Sequence, residues 1–423
     1  MQKISDVLLV LKNNWKKSTF AVAVISYGAN HFKNTYENKL LMREYCQLAS
    51  KYGDISNPAS KPFRHITVVL NPAANKRNSK VLFEKYCAPL LYLAGLAVTV
   101  VYTEYAGQAK DIADSLDPKT DALVIAGGDG TLSETITGLL RRVQDNKEIL
   151  KKLPLGVLPL GRSNSLANAL LGNREEVRAL ADSTMAIIDG SLTTVDVMKI
   201  EPMNVRISIN YEENSKPVYG LIQVEWGSFR NAKANRDKYW YFGTFRDYIS
   251  YIFTKVEKGA WECSYTEPCK GCNKCVQKKQ VTQRWWHVFM PSLSKTDKDY
   301  SNVVNETCGK VMQKELSTVE IAIKTATVYN KPVTDAPHLV LTVLPDSVRW
   351  TNFVTEGWKR IRGKQLNDSV DATAVRELNL VPKTQNENDW LSIDNENFEV
   401  KPMKISILPK AVNIFQPRLS GYI

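Results

Sequence analysis

Two textures of apolar patterning divide the chain. Over residues 62–196, unbroken apolar runs alternate with stretches of helical period. These are "HITVVLNP" (65–72), "KVLFEKYCAPLLYLAG" (80–95), "LAVTVVYTEYAGQAKDIADSL" (96–116), "DALVIAGGDGTLSETITGLLRRV" (121–143) and "LPLGVLPLGRSNSLANALLG" (153–172). A strand covered on both faces reads as a continuous apolar run, and intervening helices do the covering. The pattern therefore predicts an α/β domain on a parallel sheet. Such sheets bind ligands beyond the carboxyl ends of their strands. Every unusual loop of this half falls at such an end: "NPAANK", "TEYAGQA", "GGDGT" and "LGRSNS".

From about residue 197 the runs become short, often alternating, and separated by polar turns. "VDVMKIE", "VRISINY", "YGLIQVEWG", "STVEIAIKT", "HLVLTVLP", "WLSIDNENFEV" and "MKISILPKAV" predict an antiparallel β-sandwich over 197–423. A more helical, basic insertion over about 238–312 is expected to interrupt it. Residues 1–61 form a third part, ended by the proline- and serine-bearing linker "DISNPASKPF" (54–63).

Composition narrows the class. The chain has 423 residues, of which 43% are hydrophobic and 24% charged, as in a globular protein rather than a disordered one. A net charge of +12 points to an acidic membrane surface or nucleic acid, unless the surface merely carries spare lysines. No nucleic-acid-binding module is recognisable, so no such partner is expected. Lys3, Lys12, Lys16 and Lys17 face only Asp6, and residues 18–32 carry no full charge. That apolar stretch is shorter than the roughly 20 residues of a spanning helix. It reads as a mitochondrial-type targeting segment and a membrane anchor or interfacial helix, the alternative being a helix packed on the protein's own core. The aromatic, basic segments "DKYWYFGTFRDYISYIFTK" (237–255) and "QRWWHVF" (283–289) suit a bilayer interface equally well as a helix capping the β domain.

Two constellations carry chemistry. In Gly127-Gly128-Asp129-Gly130-Thr131, tandem glycines between a strand and a helix let backbone N–H groups approach phosphate oxygens. The spacing is that of neither a Walker loop nor a dinucleotide fingerprint. An aspartate fixed there could take a hydroxyl proton or orient hydrated Mg²⁺; the structural alternative is a tight turn with Asp129 capping the helix. In "CSYTEPCKGCNKC", Cys263, Cys269, Cys272 and Cys275 could close a tetrahedral Zn²⁺ site, with free thiols or a loop disulfide as alternatives. The odd total of seven cysteines argues against a disulfide scaffold.

Taken together and in order, "NPAANK", "TEYAGQA", "GGDGTLSETITGLL" and "LPLGRSNSLANAL" resemble the diacylglycerol/sphingosine lipid kinase family over residues 64–196. GGDGT alone would not carry this, because NAD kinases are similar there. "NNWKKST", "WGSFR", "KYWYFG" and "LSID" resemble the mitochondrial branch that phosphorylates acylglycerols. The resemblance implies a nucleotide-binding α/β domain, ATP and Mg²⁺ as cofactors, and an acylglycerol substrate. It also implies the mitochondrial inner membrane, on the intermembrane-space side, and subunits of the carrier translocase as partners. Position by position, Asn71, Pro72 and Ala73 would line the nucleotide site, and Thr103, Glu104, Tyr105, Ala106 and Gly107 would hold ATP. Gly127, Gly128, Asp129, Gly130 and Thr131 would meet the phosphates, Glu134 the ribose or the water shell of the metal, and Gly161, Arg162 and Ser163 would continue the cradle. Asp394, Asn395 and Glu396 match a late Asp-Gly-Glu that closes the site, leaving Asp129 and Asp394 as candidates for the base.

Two departures stand out. Asn395 replaces a glycine, which asparagine can do because it tolerates left-handed φ. Ser165 stands where bacterial diacylglycerol kinases carry an aspartate. Sphingosine kinases place an acidic residue shortly after the Trp-Gly, where this chain has Asn231, Ala232 and Lys233, which favours a neutral acylglycerol over a cationic amine. Alternatives are a sphingosine- or ceramide-type kinase, an NAD kinase, and a non-catalytic import scaffold.

Overall fold

The computed structural model describes residues 15–54, 64–144, 146, 150–172, 174–203, 216–275, 303–326, 334, 336–363, 372–383, 389–417 and 422. Residues 1–14, most of the 54–63 linker, "VRISINY" and "QRWWHVF" lie outside them.

The first element is a long helix, α1 (Trp15–Asp54). Its second half docks on the core through buried Tyr45 and Ala49. Its first half projects, leaving Phe20, Ile25, Tyr27 and Phe32 about 70% or more exposed (72%, 69%, 76% and 73%). No helix among the described residues is long and apolar enough to cross a membrane.

The parallel strands are β1 (His65–Leu70), β2 (Ala97–Tyr102), β3 (Ala122–Gly127) and β4 (Leu155–Pro159). Their order is β2-β1-β3-β4, with parallel pairing throughout. β3 is buried at every position, as its unbroken apolar run requires, whereas edge strand β2 is half-exposed. Short helical segments over 74–93 follow β1, α2 (Gln108–Asp114) follows β2, α3 (Asp129–Arg142) follows β3, and α4 (Ser165–Leu171) and α5 (Glu176–Asp189) follow β4, together covering the sheet. Tyr45 donates to Asp182 Oδ1 at 2.5 Å, and Arg174 pairs with the same carboxylate, fixing α1 to α5.

The later chain supplies β5 (Leu192–Pro202), β6 (Val218–Gly220), β7 (Gln223–Gly227), α6 (Ser228–Asn235), a 3₁₀ segment (Arg236–Phe245), α7 (Arg246–Phe253), β8 (Gly259–Thr266), β9 (Val311–Thr318), β10 (Glu320–Thr325), β11 (Leu339–Val343), α8 (Trp350–Ile361), β12 (Ala372–Val375), β13 (Glu377–Pro382), β14 (Trp390–Ile393), β15 (Glu396–Glu399) and β16 (Met403–Phe415). One all-antiparallel sheet runs β12-β11-β10-β7-β14-β15. The other antiparallel strands extend the parallel sheet as β4-β16-β13-β8-β9, with β5 also on β16. The register of β16 on β5 slips between Leu408 and Val412. Beyond that bulge Ile414 pairs in parallel with Leu155 of β4, so one strand passes between the two halves. Met198, Trp226, Trp261, Ile321, Leu378, Leu391 and Ile405 share a core between the two sheets, with the Trp226 and Trp261 rings edge-on at 5.0 Å.

The molecule thus has a mostly parallel α/β part and an antiparallel β part, as the patterning predicts. Among the described residues, the insertion expected over about 238–312 is helical only over residues 238–253, continuing helical segments that begin at residue 228. Residues 259–266 form β8, because the alternation of "AWECSYT" buries Trp261 and Cys263 against β13. Helix α8 and strands β12 and β13 are not among the elements expected from the sequence, although Trp350, Phe353, Val354, Trp358 and Ile361 recur at helical spacing and Leu378 and Leu380 alternate with polar neighbours.

Candidate active site

The turns at the carboxyl ends of β1, β2, β3 and β4 converge on one cavity of about 490 Å³. Asn71 and Ala73 line it from the first turn, Thr103, Glu104, Tyr105 and Ala106 from the second, and Gly128, Asp129, Gly130, Thr131 and Glu134 from the third. Gly161, Arg162 and Ser163 come from the fourth, and Asn395 and Glu396 arrive from the β14–β15 turn. Pro72, Gly107, Gly127 and Asp394 do not line it.

Side chains knit the turns together. Asn71 Nδ2 donates to Thr131 Oγ1 at 3.0 Å, tying the first turn to the third. Gly107 N–H donates to Glu134 Oε1 at 2.9 Å, tying the second turn to α3. The third and fourth turns meet glycine to glycine: a methyl group on Gly161 would collide with the Gly128 backbone. No side chain fits between them, which explains Gly128, while a methyl group on its neighbour Gly127 would meet the Thr131 side chain.

Asp129 sits at the first position of α3, 3% exposed. Ser165 N–H donates to its Oδ1 at 2.8 Å, while Ser165 Oγ and Asn395 Nδ2 donate to its Oδ2 at 2.9 and 2.8 Å. Burial pushes its carboxyl above the ordinary aspartate range, and these three donors pull the other way. Glu396 is pushed up to about 7, first by burial and then by the charges of Glu134 and Asp394.

Asp394 and Asn395 both adopt left-handed φ, 47° and 69°, between paired Ile393 and Glu396. Two positive φ values make this a type I′ hairpin turn. The asparagine keeps the turn that a glycine would make and adds an amide aimed at Asp129.

Asp394 is the first correction. It is 1% exposed, and its two oxygens accept the backbone N–H groups of Leu221 (2.7 Å), Ile222 and Gln223 (both 2.9 Å). Burial nonetheless pushes its carboxyl up to about 7. Facing the start of β7 rather than the cavity, it is a hairpin anchor and not a candidate base. Arg162 reaches the cavity wall, but its guanidinium pairs with Asp237 Oδ2 at 2.9 Å, linking the fourth turn to the aromatic 3₁₀ segment.

The second correction concerns the cysteines. Cys263 is buried in the inter-sheet core on β8. The sulfurs that gather are those of Cys269, Cys272, Cys275 and Cys308.

Sequence reasoning missed Ser165 as the holder of Asp129, seeing only the missing carboxylate. It also missed Asn75 and Lys76, whose left-handed φ of 48° and 56° turn the first loop into the cavity. Their only signal was their place in "NPAANK".

A glycine-lined cavity at the carboxyl edge of a parallel sheet, holding one fixed aspartate, defines a nucleotide-dependent phosphotransferase of the diacylglycerol kinase type. Residues 65–200 match the diacylglycerol kinase catalytic domain family, and residues 221–419 the acylglycerol kinase C-terminal family. The chain is 31% identical over 421 residues to human mitochondrial acylglycerol kinase, covering 96% of this chain and 95% of that one. It is 29% identical to the Xenopus laevis acylglycerol kinase, covering 98% and 95%. Mouse ceramide kinase is 25% identical over only 54% of this chain and 45% of its own. A Bacillus anthracis diacylglycerol kinase structure shares the fold, with TM-score 0.52 at 16% identity over 85% of this chain and all of that one. The chain belongs to the acylglycerol kinase family, and it is a lipid kinase.

Proposed function

We propose that this protein transfers the γ-phosphoryl group of ATP to the free hydroxyl of mono- and diacylglycerols, yielding lysophosphatidic and phosphatidic acid. The observation that carries the reading is the convergence of four strand-end turns and the 394–396 hairpin around Asp129.

The Asp129 carboxylate, fixed on three donors and raised by burial, takes the proton of the attacking hydroxyl as the oxygen–phosphorus bond forms and the bond to the leaving diphosphate breaks. Backbone N–H groups of Gly128, Gly130, Thr131, Arg162 and Ser163 hold phosphate oxygens, those of Asp129 and Gly161 being taken by Ser163 O and Asn164 Oδ1, with the N-terminus of α3 adding its dipole. Thr103 to Ala106 hold the nucleoside. The carboxylates of Asp129, Glu134 and Glu396 suit a hard divalent cation, since Glu396 is raised partly by its like-charged neighbour. They would hold Mg²⁺ through its waters, and the ion when bound neutralises charge on the phosphates.

A neutral glycerol lipid is favoured over an amine. The stretch directly after β7 offers Asn231, Ala232 and Lys233, and the nearby carboxylate of Glu225, on β7 itself, is paired with Lys233 Nζ at 3.3 Å. Exposed Trp240, Tyr241, Phe245 and Phe253 beside the fourth turn, with the projecting half of α1, support attachment to a membrane. The mitochondrial relatives support a mitochondrial location; the inner membrane, facing the intermembrane space, and a second role beside the carrier translocase are part of this proposal. The test is turnover of radiolabelled ATP on monoacylglycerol, diacylglycerol, sphingosine, ceramide and NAD. Label in acylglycerols is expected; label in NAD or sphingosine alone would overturn the reading.

A further inference from the structure

We propose that Cys269, Cys272, Cys275 and Cys308 form a closed four-thiolate zinc site that locks the open end of the β8–β9 hairpin. The four sulfurs all lie within 4.8 Å of one another. A tetrahedral zinc with bonds of about 2.3 Å has sulfur–sulfur edges of about 3.8 Å. Cys272 Sγ and Cys275 Sγ are 3.6 Å apart, close to that edge and far beyond the roughly 2.05 Å of a disulfide. An iron–sulfur cluster would need room for several irons and sulfides inside the thiolates, which this spacing does not leave.

The surroundings fit the same ligand independently. Cys272 N–H donates toward Cys275 Sγ at 3.3 Å, and Asn305 Nδ2 toward Cys269 Sγ at 3.3 Å. Donors aimed at sulfur stabilise thiolates and orient them, as the partners behind metal ligands do. Asn305 is itself held, its Oδ1 accepting from Thr307 N–H at 3.0 Å and Thr307 Oγ1 at 2.9 Å. The backbone already joins the two segments, Asn273 N–H donating to Val303 O at 3.0 Å.

Placement gives the role. The β8–β9 ladder ends at the pair Thr266–Val311. Cys269 follows Thr266 by three residues and Cys308 precedes Val311 by three, so the metal sits directly across the mouth of the hairpin. With four protein ligands no position stays open for water or substrate, which makes the site structural. It lies at the opposite end of the large sheet from β1 and β2.

The test is metal analysis of the full chain purified without chelator, with X-ray absorption at the zinc edge. About one zinc per chain with four sulfurs at about 2.3 Å is expected. Cys308→Ser should lose most of the zinc, and Cys263→Ala should keep it. A chain that holds no zinc and takes none up when zinc alone is added overturns the proposal. So does iron with acid-labile sulfide, or zinc loss in Cys263→Ala equal to that in Cys308→Ser. Should Cys308→Ser fail to fold, the absorption spectrum of the unaltered chain decides, and fewer than four sulfurs contradicts the site.

Discussion

Asn395 donates its side-chain N–H to Asp129 Oδ2 across 2.8 Å, joining a hairpin turn to a helix start 266 residues away in sequence. Ser165 holds the other carboxylate oxygen from the fourth turn, so Asp129 is positioned from both halves of the chain. A carboxylate fixed in this way pays little reorganisation when it accepts a proton.

Asn395→Gly keeps the left-handed turn and removes only the amide. That amide lowers the Asp129 pKa, so its loss raises it, and the acid limb of the pH–kcat profile should move to higher pH with KM for ATP unchanged. Asn395→Ala should show the same limb and also lose about 1–2 kcal/mol of stability, because alanine is strained at positive φ. A profile identical to wild type in both variants would remove Asn395 from the mechanism.

Gly161→Ala should separate the third and fourth turns. The collision with Gly128 costs about 1–3 kcal/mol, borne mainly by the phosphate cradle. Calorimetry should then show ATP affinity lowered about tenfold or more, while far-UV circular dichroism stays unchanged.

Glu396 makes stability depend on pH. Its carboxyl is raised from 4.5 to about 7 in the folded chain, so it binds its proton more tightly folded than unfolded. Its contribution is full below about pH 4.5 and is lost as pH rises through 7. Thermal melts of wild type should fall between pH 5 and 8 more steeply than those of Glu396→Gln, by at most about 3 kcal/mol. Asp394 leaves a residual slope of the same sign. Mg²⁺ should raise the wild-type melting temperature at pH 8 and its chelation should reverse that; an unmoved temperature would remove the carboxylates as a metal site.

Trp240 and Phe245 are 74% and 67% exposed, so replacing both with serine should leave folding intact. Flotation with anionic vesicles should show binding weakened by more than about tenfold, since each aromatic contributes roughly 1.5–3 kcal/mol when buried in lipid. Turnover of a soluble short-chain acylglycerol should not change.

The nucleotide half was legible because its signals are local. A continuous apolar run, a glycine pair and a helix start are all written in consecutive residues, and the fold rule places their turns at one edge. Asp394, Asn395 and Glu396 were legible only through family resemblance, and their division of labour was not. Burial turns Asp394 into an anchor and frees Asn395 to reach Asp129, which depends on a type I′ turn seen only in three dimensions. Cys263 was counted among the cluster and Cys308 was left out of it for a similar reason. Strand alternation sends Cys263 into the core, while Cys308 reaches the cluster through the β8–β9 pairing, a contact that spacing along the chain does not encode. The passage of β16 beside β4 is long-range too, decided by a bulge near Lys410 rather than by any period.

The most direct measurement is phosphoryl transfer from ATP to mono- and diacylglycerol by Asp129→Asn, which is isosteric, keeps an oxygen for Ser165 N–H and lets Ser165 Oγ turn to accept from the new amide, losing the bond from Asn395. The account predicts a loss of about 10²–10⁴-fold in kcat, with ATP affinity and melting temperature near wild type. A variant that phosphorylates acylglycerols at the wild-type rate would contradict it.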